Sequence, residues 1–198
     1  MAYDYEDELP EVVDNNGVDL IIREKCDYRI VKKVIRALKD VELNDEEKLQ
    51  CAIIIFYENY KDIIDLKDAA EQMYFIIDCG NRYKENVRTV TTAHKAELMD
   101  WDYDWDIIAP ELNKVLGYDI RTPKKHTHWW TTIGAYMCIG EGTFQTVVGI
   151  RSKKSKGEKL EKWEENLCRE RPELINLPQR YSQEEEEFFS LFEQKGES

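Results

Sequence analysis

Asp100, Asp102, Asp104 and Asp106 stand at alternate positions, and Glu111 is twelfth in the register that starts at Asp100, which is the spacing of carboxylate ligands in a calcium loop. Such a loop needs glycine at its sixth position to turn back around the cation. Trp105 occupies that place and Pro110 falls inside the ring, so these acids read instead as helix-start residues that favour the dipole while the tryptophans between them pack inward. His126 and His128, with only His94 elsewhere, supply two imidazoles where a zinc site takes three or four protein ligands. No glycine-rich phosphate loop is present, and no serine lies in a nucleophile elbow. The expectation is a protein with no catalytic, cofactor-binding or metal-ligating residue, no cofactor and no enzymatic activity.

The densest aromatic pair follows directly, in His128-Trp129-Trp130 at the head of an apolar stretch that continues toward Phe144, Ile150 and Arg151. Neighbouring residues on a helix point about 100° apart. Both rings are buried only if the helix is surrounded; otherwise one is presented to a partner as an aromatic anchor. Trp129, Trp130 and Phe144 are therefore the candidate partner-binding residues, with core packing as the competing role.

The elements that must position these residues read as mainly α. Leu9 to Asp14 and Val18 to Arg23 flank Asn15-Asn16-Gly17 and predict a small N-terminal β-hairpin. Tyr28, Val31, Val34, Ile35 and Leu38 recur at helical spacing behind Asp27, a candidate N-cap. Asn44 to Glu47 has the form of a capping box, and Leu49, Ala52, Ile53, Phe56 and Tyr60 then share a face. Asp65 opens a third helix through Ala69, Met73, Ile76 and Ile77, with Gly80 as its left-handed cap. The apolar rhythm fails over 81–98, which reads as a variable loop. Trp101, Trp105, Ile108, Leu112 and Val115 describe a helix from Asp100 to Gly117, predicted to kink or restart at Pro110. Thr122-Pro123 opens the next, whose stretch from Trp129 to Ile139 is apolar nearly all round and reads as the central helix. Thr143 caps a short helix to Ile150. The run 151–156 reads as a solvated basic linker, followed by charged helices over Gly157–Arg171, ended by Pro172, and Ser182–Gln194.

The chain has 198 residues, 42% hydrophobic and 35% charged, enough for one domain with a core that needs no staples. The expected organisation is a single compact helical domain with the N-terminal hairpin, frayed ends at 1–8 and 195–198, and charged C-terminal helices forming a peripheral arm over 152–198. A net charge of −13 repels phosphate backbones and argues against a nucleic-acid partner. Five scattered cysteines without a Cys-x-x-Cys pair read as reduced packing residues of a cytoplasmic protein. The acidic N-terminus lacks signal-peptide character, and no segment has the apolar length of a membrane span, so no membrane association is expected.

The ordered set of pieces resembles the gene-product-fifteen family of siphophages of Gram-positive bacteria. The residues that carry the resemblance are Leu9-Pro10 before the hairpin, Asp45-Glu46-Glu47-Lys48 leading to Phe56-Tyr57, Cys79-Gly80, Asp102-Tyr103-Asp104, Gly117-Tyr118-Asp119-Ile120, His128-Trp129-Trp130, Phe144, Arg151 and Leu177-Pro178. The chain departs from the family pattern at Pro110, where relatives have an uninterrupted helix, and in its sparsely basic loop. The resemblance implies a tail assembly chaperone acting in the bacterial host cytoplasm during virion assembly. Such a chaperone binds and solubilises the tape measure protein, helps recruit the major tail protein as tube subunits, and is absent from the mature tail. It also leaves room for a homo-oligomer. A structural tail or connector subunit retained in the virion is the second reading, and a metal-dependent enzyme using the aspartates a distant third.

Overall fold

The computed structural model describes residues 9–80 and 97–178. Among them the chain is mainly α, with eight helices and one two-stranded antiparallel hairpin. Strands β1 (Val12–Asn15) and β2 (Val18–Ile21) pair Asn15 with Val18, so the turn is Asn16-Gly17 alone. Both turn residues have positive φ, 56° and 89°, as a type I′ turn requires. Asn15, expected in the turn, is instead a buried clamp. Its side-chain oxygen accepts from the backbone N–H groups of Ile64 (2.9 Å) and Asp65 (3.0 Å), and its amide nitrogen donates to Asp65 O (2.9 Å) and Asp68 Oδ2 (2.8 Å).

Helix α1 (Tyr28–Leu38) is capped by Asp27, which accepts from the Arg29 N–H at 2.9 Å. Ahead of it, Glu24, Lys25 and Cys26 all take left-handed φ, between 48° and 58°. The Arg23 guanidinium holds this turn against the end of α2 (Asp45–Phe56), donating to the carbonyls of Ile54, Ile55 and Tyr57. The Asn44–Glu47 capping box forms as expected. Tyr60 does not continue the α2 face, because Tyr57 is extended and bridges Ile22, ending the helix. Helix α3 (Leu66–Ile77) starts at the Asp65 cap. At its end the first left-handed residue is Cys79 (φ 52°); Gly80 follows and donates back to Phe75 O at 2.8 Å.

Helix α4 (Trp105–Leu116) begins later than expected, because Asp100 to Asp104 form a turn of their own, and it runs through Pro110 without a break. Proline removes only the hydrogen bond to the Asp106 carbonyl, and both residues are exposed, so water substitutes. Gly117, at φ 73°, closes it as expected. Thr122-Pro123 does not open a helix. The carbonyls of Ile120, Thr122 and Lys125 turn onto the Arg29 guanidinium at 3.0–3.1 Å, which folds this segment into turns. Helix α5 (Trp129–Met137) starts only after His128. Nor is α5 enclosed on all sides, since Thr131, Gly134, Met137 and Cys138 are exposed.

Helix α6 (Thr143–Lys156) is longer than expected and absorbs the basic run. That run is no solvated linker, because its cations have partners: Arg151 binds Asp104, Lys153 binds Glu164 at 2.7 Å and Lys154 binds Asn176 at 2.8 Å. Helices α7 (Lys162–Glu170) and α8 (Pro172–Ile175) follow, with Gly157 serving as the left-handed cap of α6 rather than opening α7. The principal core lies between the hairpin and α1 to α5, with Phe144 at its edge, and a smaller cluster of Val147, Ile150 and Ile175 joins α6 to α8. The expected helix over Ser182–Gln194, the frayed ends at 1–8 and 195–198, and most of the 81–98 loop lie outside the described residues.

Candidate functional site

The His-Trp-Trp sequence sits where three distant segments meet. His128 is the N-cap of α5, its Nδ1 accepting the Trp130 backbone N–H at 3.0 Å. A backbone N–H only donates, so Nδ1 is the acceptor and Nε2 carries the proton to the Pro10 carbonyl at 3.2 Å. Burial lowers the His128 pKa from its ordinary value, favouring this neutral form. One residue earlier, the Thr127 N–H donates to Asp27 Oδ2 (3.0 Å) and the Tyr28 N–H to Thr127 O (3.0 Å). Asp27 thereby caps α1 and fixes the approach to α5 with one carboxylate.

The two indoles finish another helix. The Trp129 indole N–H donates to Ile77 O at 2.9 Å and the Trp130 indole N–H to Ile76 O at 2.7 Å, at the last turn of α3, where the Ile76 carbonyl also accepts the Cys79 N–H at 3.1 Å. Trp130 also lies over Gly80, where an added Cβ would stand 3.6 Å from its ring. Trp129 is 2% exposed and Phe144 1%, whereas Trp130 is half-buried. Trp129 and Phe144 are joined through Trp101 and Tyr136, with ring centroids 5.2–5.6 Å apart in tilted or edge-on contacts. Trp129 and Phe144 thus belong to one aromatic array in the core, whereas Trp130 packs edge-on to His128 and keeps a partly open ring.

The aspartate run serves cations of the chain itself. Asp102 receives Arg36 in a two-pronged contact (2.8 and 2.9 Å) with Lys32 at 3.5 Å, and the Arg36 hydrogen bonds hold its carboxyl below the usual range. Lys32 sits 3.7 Å above the Trp105 ring; burial lowers its pKa, partly offset by Asp102. Asp100 caps the turn through the Asp102 and Tyr103 N–H groups and pairs with Lys39. Glu111 meets Lys114 at 2.8 Å and lies against Gly142 at the start of α6, where a Cβ would come within 2.7 Å of its Oε1. A side chain there would have to push the Glu111 carboxylate aside, and that carboxylate is placed favourably for the helix dipole. Among the described residues no group of three or more His, Cys, Asp and Glu side chains is arranged to hold a metal. His126 bonds the Lys25 carbonyl at 3.1 Å, and His94 lies outside the described residues. No cysteine is bridged: Cys26 is buried with its thiol pushed up to about 12, while Cys138 is exposed and is no packing residue.

Sequence reasoning missed the role of one buried, heavily bonded side chain. Arg151 is buried and reaches Asp104 through two nitrogens (2.7 and 2.8 Å), then the carbonyls of Leu98, Leu174 and Ile175 at 2.8–3.0 Å. Its position one residue after Ile150, at the apolar end of α6, was the available signal, but the following lysines masked it as part of a basic run.

Among the described residues no helix is long and apolar enough to cross a membrane. A family model described as Bacteriophage Gp15 protein matches residues 5–181 of the chain. No curated protein and no solved structure matches it.

Proposed function

From the fact that the chain belongs to the bacteriophage Gp15 protein family, we propose that it is a siphophage tail assembly chaperone, which binds and solubilises the tape measure protein in the bacterial host cytoplasm, helps recruit major tail protein subunits, and leaves before the tail is complete. The family membership carries this reading. The physical character of the chain supports it. A net charge of −13 limits aggregation of a protein that covers apolar helices. Exposed apolar side chains such as Val12, Ile21, Ile64 and Met137 provide small contacts for weak, repeated binding. The role is one of binding rather than catalysis.

The test is co-expression with fragments of the tape measure protein from the same genome, scored by soluble yield and by light scattering of the purified complex. The expected result is a soluble complex that is lost when this chain is omitted. A stable ring or monomer without effect on tape measure solubility would sink the chaperone reading and favour a structural tail or connector subunit retained in the virion.

A further inference from the structure

The hairpin covers the core with one face and leaves an apolar pair on the other. Val12 and Ile21 stand directly opposite each other across the strands and are 46% and 44% exposed. The next outward positions on the same face are Asp14 and Asp19, also directly opposite and both exposed. Like charges opposed across a strand pair repel, and a cation set over them relieves that repulsion. Glu58 and Asp62 extend the negative rim along the segment beside β2, against Lys61 and a Lys25 already paired with Glu11 at 3.0 Å.

The β2 edge is engaged beside this face, and on β1 the Asp14 carbonyl is taken. Asn59 bonds the Ile21 N–H and the Asp19 carbonyl, Glu58 N–H bonds the Ile21 carbonyl, and Gln72 bonds the Asp14 carbonyl. A partner therefore meets the sheet face rather than adding a strand there. Two copies of this face would bring acid against acid, which disfavours self-pairing.

We propose that the outer face of the hairpin docks an amphipathic helix whose apolar stripe is flanked by lysine or arginine, the stripe covering Val12 and Ile21 and the cations lying over Asp14 and Asp19. The assignment of that helix to the tape measure protein rests on the function proposed above; the surface itself does not.

The test titrates the isotope-labelled full-length chain with a designed Leu/Lys amphipathic helix of roughly five turns, and with its Leu/Glu counterpart. The Leu/Lys peptide is expected to shift the amide resonances of residues 12–21, with an affinity that falls as salt rises, while the Leu/Glu peptide leaves them in place. The double variants Val12→Thr/Ile21→Thr and Asp14→Asn/Asp19→Asn each weaken binding about ten-fold, and Val115→Thr, at an exposed apolar site on α4, leaves it unchanged. Threonine keeps strand propensity, so unchanged melting of the variants shows that the fold persists. Shifts mapping elsewhere, or equal affinity for the Val12→Thr/Ile21→Thr chain, would overturn the proposal. So would self-association through these residues as chain concentration rises, which assigns the face to a second copy. A peptide that maps to the hairpin while tape measure fragments stay insoluble defeats the chaperone reading and leaves the docking surface standing; the reverse result separates them the other way.

Discussion

His128 illustrates how one side chain can be read for chemistry and turn out to be architecture. Its two nitrogens are committed in opposite senses, one accepting from the start of α5 and the other donating to Pro10 ahead of the hairpin. Burial sets its pKa below the ordinary 6.5. The folded chain therefore binds fewer protons than the unfolded chain just below that pH, so the contribution of His128 to stability is full above pH 6.5 and is lost as pH falls through the folded value. The carboxyls held low, those of Asp102, Asp119, Glu164 and Glu173, act below their ordinary 3.8 or 4.5 and outside this window. The urea midpoint is expected to drop between about pH 7.5 and about pH 5.5. His128→Asn, which keeps a capping acceptor but removes the titration, should flatten that slope. An unchanged slope would show that His128 does not carry it.

Helix ends were the most legible elements, because a cap is a local bargain between one side chain and the N–H groups two or three residues on. Asp27, Asn44 and Asp65 each stand where the sequence placed them. Local rules failed where a distant side chain decided the outcome, as when Arg29 gathered the carbonyls around Thr122-Pro123 into turns. Pro110 is the reverse case. The local rule was sound, but the lost hydrogen bond fell on an exposed face where it is cheap to lose. Replacing it with alanine restores the N–H toward the Asp106 carbonyl and improves helix propensity. Pro110→Ala is expected to stabilise the chain by about 1 kcal/mol, which raises Tm by roughly 2–4 °C for a chain of this size. A lower melting temperature would mean that the proline shape is required by the packing of α4.

Asp104, before α4, and Arg151, on α6, form a buried ion pair that joins three parts of the chain, since the same guanidinium also holds Leu98 and the end of α8. Arg151→Met leaves a buried carboxylate without its cation and is expected to cost about 3–5 kcal/mol, whereas Arg151→Met/Asp104→Leu recovers much of that loss because no charge is stranded. Denaturation midpoints of the wild type and both variants decide it, and a single-variant loss under about 1 kcal/mol would show the pair to be marginal. The sequence by itself determined the mainly helical class, the hairpin, the starts of α1, α2 and α3 and the family resemblance, because periodicity, caps and Asn-Gly turns act over a few residues. Only the tertiary structure decided that the aspartates serve Arg36, Lys39 and Arg151, that the indole N–H groups of Trp129 and Trp130 finish α3, and that Asn15 clamps the start of that helix. Those outcomes depend on which polar groups meet across about fifty residues of chain, which leaves no local spacing to read, and for Asn15, Asp104 and Arg151 burial makes the partner obligatory.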